Sequence, residues 1–184
     1  MVTADGHHGL SGRRGSGRHP RQCQINNLLC RAFVSSATLA TRKPQGLCTG
    51  SGKRPDGVTQ IPWSRGCCVA WDATCPNTFA ESHVQASSTR AGSAAEASKA
   101  QIYADITTGV DFIPVAIETS GTWSEQGFDL IREIGRRIAE VTHEPRATLF
   151  LRQRPSVAIQ RGNAVCVMGT FRTSEYDLTV TTEH

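Results

Sequence analysis

The sequence predicts an α/β protein, a small mixed β-sheet flanked by helices. Three observations lead there. Residues 124–141 repeat apolar side chains at the helical period, with Phe128, Ile131, Ile134, Gly135, Ile138 and Val141 on one face. Residues 58–63 and 67–75 are two short runs rich in β-branched, aromatic and Cys residues, with Pro62, Ser64 and Gly66 supplying turn chemistry between them. A further strand-like run, 111–118, lies between two helical stretches and is expected to neighbour the hairpin.

In chain order, residues 1–21 are Gly, Ser, Arg and His with almost no apolar content, and read as a basic flexible arm. Over 23–39, Ile25, Leu28, Leu29, Ala32, Phe33 and Ala37 recur at helical spacing, giving one amphipathic helix. Residues 41–54 read as a Pro/Gly/Ser connector. The two runs that follow form a β-hairpin. Residues 84–106, rich in Ala, Ser and Glu, have helical propensity. Pro114 assigns the strand at 111–118 to an edge or a bulge. Ser124 caps the next helix, with Glu125 in its first turn. Residues 147–168 form a last helix, interrupted in propensity by Pro155, and 172–184 a polar tail. The chain thus divides into the arm 1–21, one domain over 22–171, and the tail.

Length and composition agree with a single domain: 184 residues, 38% apolar and 20% charged. Apolar runs fall well short of the roughly 20 residues of a membrane span, and no apolar block near the N-terminus reads as a secretory signal. No membrane association is expected, and the location expected is intracellular. Seven cysteines without paired CxxC units read as small apolar fillers in a reducing compartment. Charge is unevenly placed: residues 1–54 hold nine Lys or Arg against one acid, Asp5. That bias suits a polyanion partner, most simply nucleic acid, and equally a soluble disordered leader.

The segment that suggests chemistry is Lys53-Arg54-Pro55-Asp56-Gly57 followed by Trp71-Asp72-Ala73-Thr74. A hairpin turn centred on Ser64 pairs residues whose numbers sum to 128, which sets Asp56 opposite Asp72 with Cβ atoms about 5 Å apart. Two such carboxylates repel unless one is protonated or a cation lies between them. Mg²⁺ or Mn²⁺ suits the position, because a hard divalent ion is commonly held by one or two carboxylates plus substrate phosphate. The plainer alternative makes Pro55-Asp56-Gly57 an ordinary turn. On the next helix Glu96, Lys99 and Tyr103, spaced i, i+3 and i+7, share one face. A lysine ammonium there could orient a nucleophile and offset developing charge, or could belong to a solvated surface pair.

These residues resemble the restriction-like endonuclease domain of site-specific non-long-terminal-repeat retrotransposons, a branch of the PD-(D/E)xK nuclease superfamily. Arg54-Pro55-Asp56 is similar to the Pro-Asp motif of that group, and Trp71-Asp72-Ala73-Thr74 to its strand carboxylate. Thr74 stands where most of the superfamily has lysine, and Lys99 with Tyr103 resembles the helix lysine and tyrosine that the retrotransposon branch uses instead. Ile102 occupies the position of that branch's second lysine. Further similarity lies in Gly17-Arg18-His19-Pro20-Arg21, Asn27, Gly46-Leu47, Pro114 to Thr119, Arg152-Gln153-Arg154, and Ile159 to Ala164.

The resemblance implies a restriction-endonuclease-like core and a nuclear, Mg²⁺- or Mn²⁺-dependent DNA-nicking activity. In it Asp56 and Asp72 are metal ligands, Lys99 is catalytic, and Tyr103 assists or packs. Arg13, Arg14, Arg18, Arg21 and Lys53 would contact phosphates of DNA, with RNA a further candidate. The alternative is a catalytically inactive DNA- or RNA-binding remnant. A zinc knuckle precedes this domain in the family. Here Gly12 stands at its last cysteine position, so no structural zinc is expected. His7-His8, His83 and Glu118 are secondary candidates, more simply read as a surface pair, a capping or packing residue and a solvated strand-end carboxylate, and Cys67-Cys68 reads as half-buried strand filler.

Overall fold

A computed structural model describes residues 18–48, 52–78, 90 and 92–179. The chain runs α1 (Arg18–Ser35), β1 (Ala40–Arg42), β2 (Gly57–Thr59), β3 (Cys68–Thr74), α2 (Ser93–Ile102), β4 (Val110–Ala116), α3 (Glu125–Thr142) and α4 (Ala147–Thr179). The four strands form one mixed sheet in the order β1-β2-β3-β4. β1, β2 and β3 pair antiparallel, while β3 and β4 are parallel and joined through α2, because parallel neighbours need a long crossover. The fold is α/β, with four helices packed against this sheet.

Alternation along β3 divides its side chains between two faces. Val69, Trp71 and Ala73 enter the core with Val115 and Ile117, against Ile25, Leu29 and Phe33 of α1, Leu130, Ile131 and Ile134 of α3, and Leu151 and Ile159 of α4. Trp71 stacks on Phe33 with centroids 4.6 Å apart, and its indole N–H donates to Asn26 Oδ1 at 3.0 Å, so the largest core side chain is also polar-satisfied. Asp72 turns to the opposite face, towards α2.

Several elements differ from the sequence expectation for identifiable reasons. α1 starts five residues earlier and stops at Ser35, not 39. Ala37 adopts a left-handed φ of 57°, and Thr38 N–H donates to Phe33 O while Ala37 N–H donates to Val34 O. That is a Schellman stop with alanine in place of the usual glycine, which removes its sequence signal. β1 lies in the expected connector and is only three residues long. α2 is shorter than the 84–106 stretch, of which 84–89 and 91 lie outside the described residues. α4 runs through Pro155 to Thr179, so the expected tail begins as helix. Its stripe of Leu151, Pro155, Ile159, Gly162 and Cys166 is buried throughout, and this packing holds the helix across the missing N–H. Pro114 does lie on an edge strand, β4. Among the described residues no helix is long and apolar enough to cross a membrane. Cys48, Cys75 and Cys166 are buried, and Cys67 and Cys68 half-buried.

Candidate active site

The hairpin sets the first carboxylate. Gly57 pairs with Trp71 and Val58 with Ala70, the register that numbers summing to 128 describe. The turn itself lies further on, at Arg65-Gly66, both with positive φ, inside the bridge Ser64–Cys67. The three extra residues this implies are absorbed before the bridge, outside the β2–β3 ladder. Pro55-Asp56-Gly57 does not reverse the chain but leads into β2. Gly57 is required there, because a Cβ would sit 2.1 Å from Trp71 Cζ2. Asp56 is 1% exposed. Its N–H donates to Trp71 O at 2.9 Å, its Oδ2 accepts from Ala73 N–H at 2.9 Å, and its Oδ1 pairs with the Lys43 ammonium.

Asp72 comes from β3 and meets the end of α2. Lys99 Nζ lies 2.7 Å from Asp72 Oδ1, and Tyr103, the C-cap of α2, donates its hydroxyl to Asp72 Oδ2 at 2.7 Å. The same hydroxyl is 3.0 Å from Arg54 O, which ties the segment before Asp56 to the site. The lysine approaches Oδ1 as an ion pair without hydrogen-bond geometry, so that buried oxygen has no hydrogen bond of its own. Burial, then the hydrogen bond to Asp72 and the charges of Asp72 and Asp56, push the Tyr103 phenol well above its ordinary range. Tyr103 therefore remains a neutral donor throughout the pH range in which the protein would work.

Asp72, Lys99 and Tyr103 are thus in direct contact, and Asp56 joins them through Ala73, the residue after Asp72. Glu96, on the same predicted face as Lys99, goes elsewhere: its Oε1 accepts from Gln126 N–H at 3.0 Å, in the first turn of α3. Glu118 binds Gly92 N–H at 2.9 Å, with Ser120 at its other oxygen. Lys53 is exposed and lines a cleft of about 300 Å³ with Arg54 and Cys48. Arg21 is a correction. It lies within α1, 2% exposed, with Nη1 donating to Asn163 Oδ1 at 2.8 Å, and a Cβ on Gly162 would come 2.3 Å from its Cγ. A guanidinium enclosed between α1 and α4 is a packing residue and not a mobile phosphate contact. Arg13, Arg14, the Arg18 side chain, His7, His8 and His83 lie outside the described residues.

Lys43 was not among the residues expected from sequence. It follows β1 with a φ of 47°, and only the pairing of β1 with β2 brings it to Asp56; a three-residue strand before Lys-Pro carries too little pattern to signal this. The donor chemistry fits a hard divalent cation: two buried carboxylates, one with an oxygen that no hydrogen bond satisfies. Asp72 and Asp56 would hold the ion, with Lys99 and Lys43 at its sides. Among the described residues no cluster of three or more His, Cys, Asp or Glu side chains is placed to hold a metal. Compared with known proteins, the chain matches no family model and no curated protein.

Proposed function

We propose that the chain is a retroelement-derived, Mg²⁺- or Mn²⁺-dependent DNA endonuclease domain with a restriction-endonuclease-like core, acting by nicking in the nucleus. The observation that carries this reading is the convergence of Asp72, Lys99 and Tyr103 beside Asp56, from β3, the end of α2 and the segment that leads into β2, at hydrogen-bonding and ion-pair distances. A bound divalent ion would polarise the scissile phosphate and lower the pKa of its water. Asp72 holds Lys99 Nζ at the boundary with solvent, where the lysine is 24% exposed. There the ammonium would orient the attacking water and offset charge on the pentavalent phosphorus. Tyr103 keeps Asp72 in place as a neutral donor. Lys53 and the basic arm (Arg13, Arg14, Arg18) would bind phosphates of DNA or RNA.

A second reading, a binding remnant without catalysis, is favoured by one feature. Each carboxylate already has an in-chain ammonium partner, Lys43 or Lys99, so charge is balanced without a metal. Ile102, half-buried on α2, offers no second helix lysine. A plasmid-nicking assay with Mg²⁺ or Mn²⁺ separates the two. The expected result is conversion of supercoiled to open-circular DNA, abolished in Asp72→Ala and slowed about 100-fold or more in Lys99→Ala. Binding without nicking in either metal overturns the enzyme reading.

A further inference from the structure

We propose that the cleft between α1 and α4 is a binding site for a single-stranded nucleic acid, with guanidinium groups on its phosphates and an apolar floor beneath its bases. The cleft encloses about 740 Å³. Arg31 of α1 and Arg154 and Arg161 of α4 line it, all exposed. Among the described residues none of the three pairs with a carboxylate, whereas on α3 Arg132, Arg136 and Arg137 are all paired with acids of the same helix. The contrast has a sequence basis. α1 contains no Asp or Glu, and α4 has none before Glu175. Glu144, beside a smaller neighbouring cavity, is taken by Arg146.

Like charges gathered without counter-charges repel, and a polyanion in the cleft would offset that repulsion. The floor selects among polyanions. Leu28, Val157 and Ala158 form an apolar strip, with Phe150, 37% exposed, among them and the amides of Gln24 and Gln153 at the side. Unstacked bases use such a surface by stacking and edge hydrogen bonds. A duplex keeps its bases inside its own stack and would leave the strip unused. The cleft belongs to the helices packed on the Trp71 face of the sheet, and Asp72 faces the other way, so this site does not rest on the cleavage reading.

The test uses the full chain in EDTA, with a fluorescein-labelled oligothymidylate of about 15 nucleotides followed by fluorescence anisotropy over a salt series. The double variant Arg154→Ala/Arg161→Ala is expected to bind about 10-fold more weakly. Its dependence of log affinity on log salt should be shallower by about 1.4, roughly 0.7 for each lost phosphate contact on a single strand. Phe150→Leu is expected to weaken binding about 5-fold with the salt slope unchanged, and Arg132→Ala to change neither. Wild-type affinity and slope in the double variant overturn the proposal. So does a matched duplex that binds as tightly and is weakened equally, or polyglutamate that displaces the oligonucleotide from the wild type as readily as unlabelled strand does.

Discussion

Two lysines hold two buried carboxylates, on different terms. Lys99 is 24% exposed against Asp72 at 6%, while Lys43 is 56% exposed against Asp56 at 2%. The better-enclosed pair is less screened by water, and its loss leaves a charge more poorly compensated. Lys99→Met is therefore expected to lower the free energy of unfolding by about 2–3 kcal/mol. Lys43→Met should cost less than about 1 kcal/mol, as for a pair with one solvated partner. Urea titrations of the two variants check this, and equal or inverted costs would show that exposure does not rank these pairs. At this scale much of the site was legible. Asp56, Asp72, Lys99 and Tyr103 were candidates from spacing and residue type, because a hairpin register and a helix face are local properties. Lys43 and the enclosure of Arg21 were not, since Lys43 is brought in by a three-residue strand without a readable pattern and Arg21 is enclosed by a helix distant in sequence.

The N-terminus of α3 shows how an element can be capped from outside itself. Ser124 occupies the N-cap position, as its place before an apolar-periodic run suggests, but its hydroxyl makes no cap hydrogen bond and accepts from Ala116 N–H at 3.1 Å. The carboxylate of Glu96, on α2, reaches Gln126 N–H instead, and adds a negative charge where the helix dipole favours one. Glu96→Ala is expected to destabilise the protein by about 1 kcal/mol, because a helix-terminal N–H in a part-buried hydrogen bond loses its acceptor. Glu96→Gln should recover most of that, since an amide oxygen can still accept. Thermal melts give the global cost. Amide exchange at Gln126 gives the local one, and fast exchange in Glu96→Ala alone is the expected pattern. Sequence periodicity placed α3 to within a residue at each end, yet it could not say which side chain supplies the cap.

Across the whole molecule, α3 is tied to the hairpin through one charge relay. Glu133 binds Arg136 and Arg137, and Arg137 donates to Trp63 O at 2.7 Å with its guanidinium 3.6 Å from the Trp63 ring centroid. The hydrogen bond from Arg136 chiefly, then that from Arg137, pulls the Glu133 carboxyl from 4.5 down to about 2. A carboxyl with a depressed folded-state pKa stabilises the fold above its unfolded pKa, and that stabilisation is lost as pH falls through the folded value. The loss falls between about pH 4.5 and pH 2. Melting temperature measured against pH should fall less steeply over that interval in Glu133→Gln than in the wild type. Identical slopes would mean that these arginines do not hold the carboxylate at the hairpin.

The sequence by itself determined the α/β class and the amphipathic face of α3, and narrowed Pro114 to an edge or a bulge; its hairpin register agrees with the pairs Gly57–Trp71 and Val58–Ala70, though the turn lies beyond Ser64, at Arg65-Gly66. All of these follow from short-range periodicity, turn residues or the missing N–H of proline. Only the tertiary structure decided that α1 ends at Ser35, that Pro155 lies inside a helix, that Lys43 belongs to the carboxylate site and that Glu96 does not. The stop of α1 is a local motif whose alanine carries no sequence signal; in the other cases the deciding contact joins residues from different elements, where packing and the satisfaction of buried polar groups outweigh local propensity.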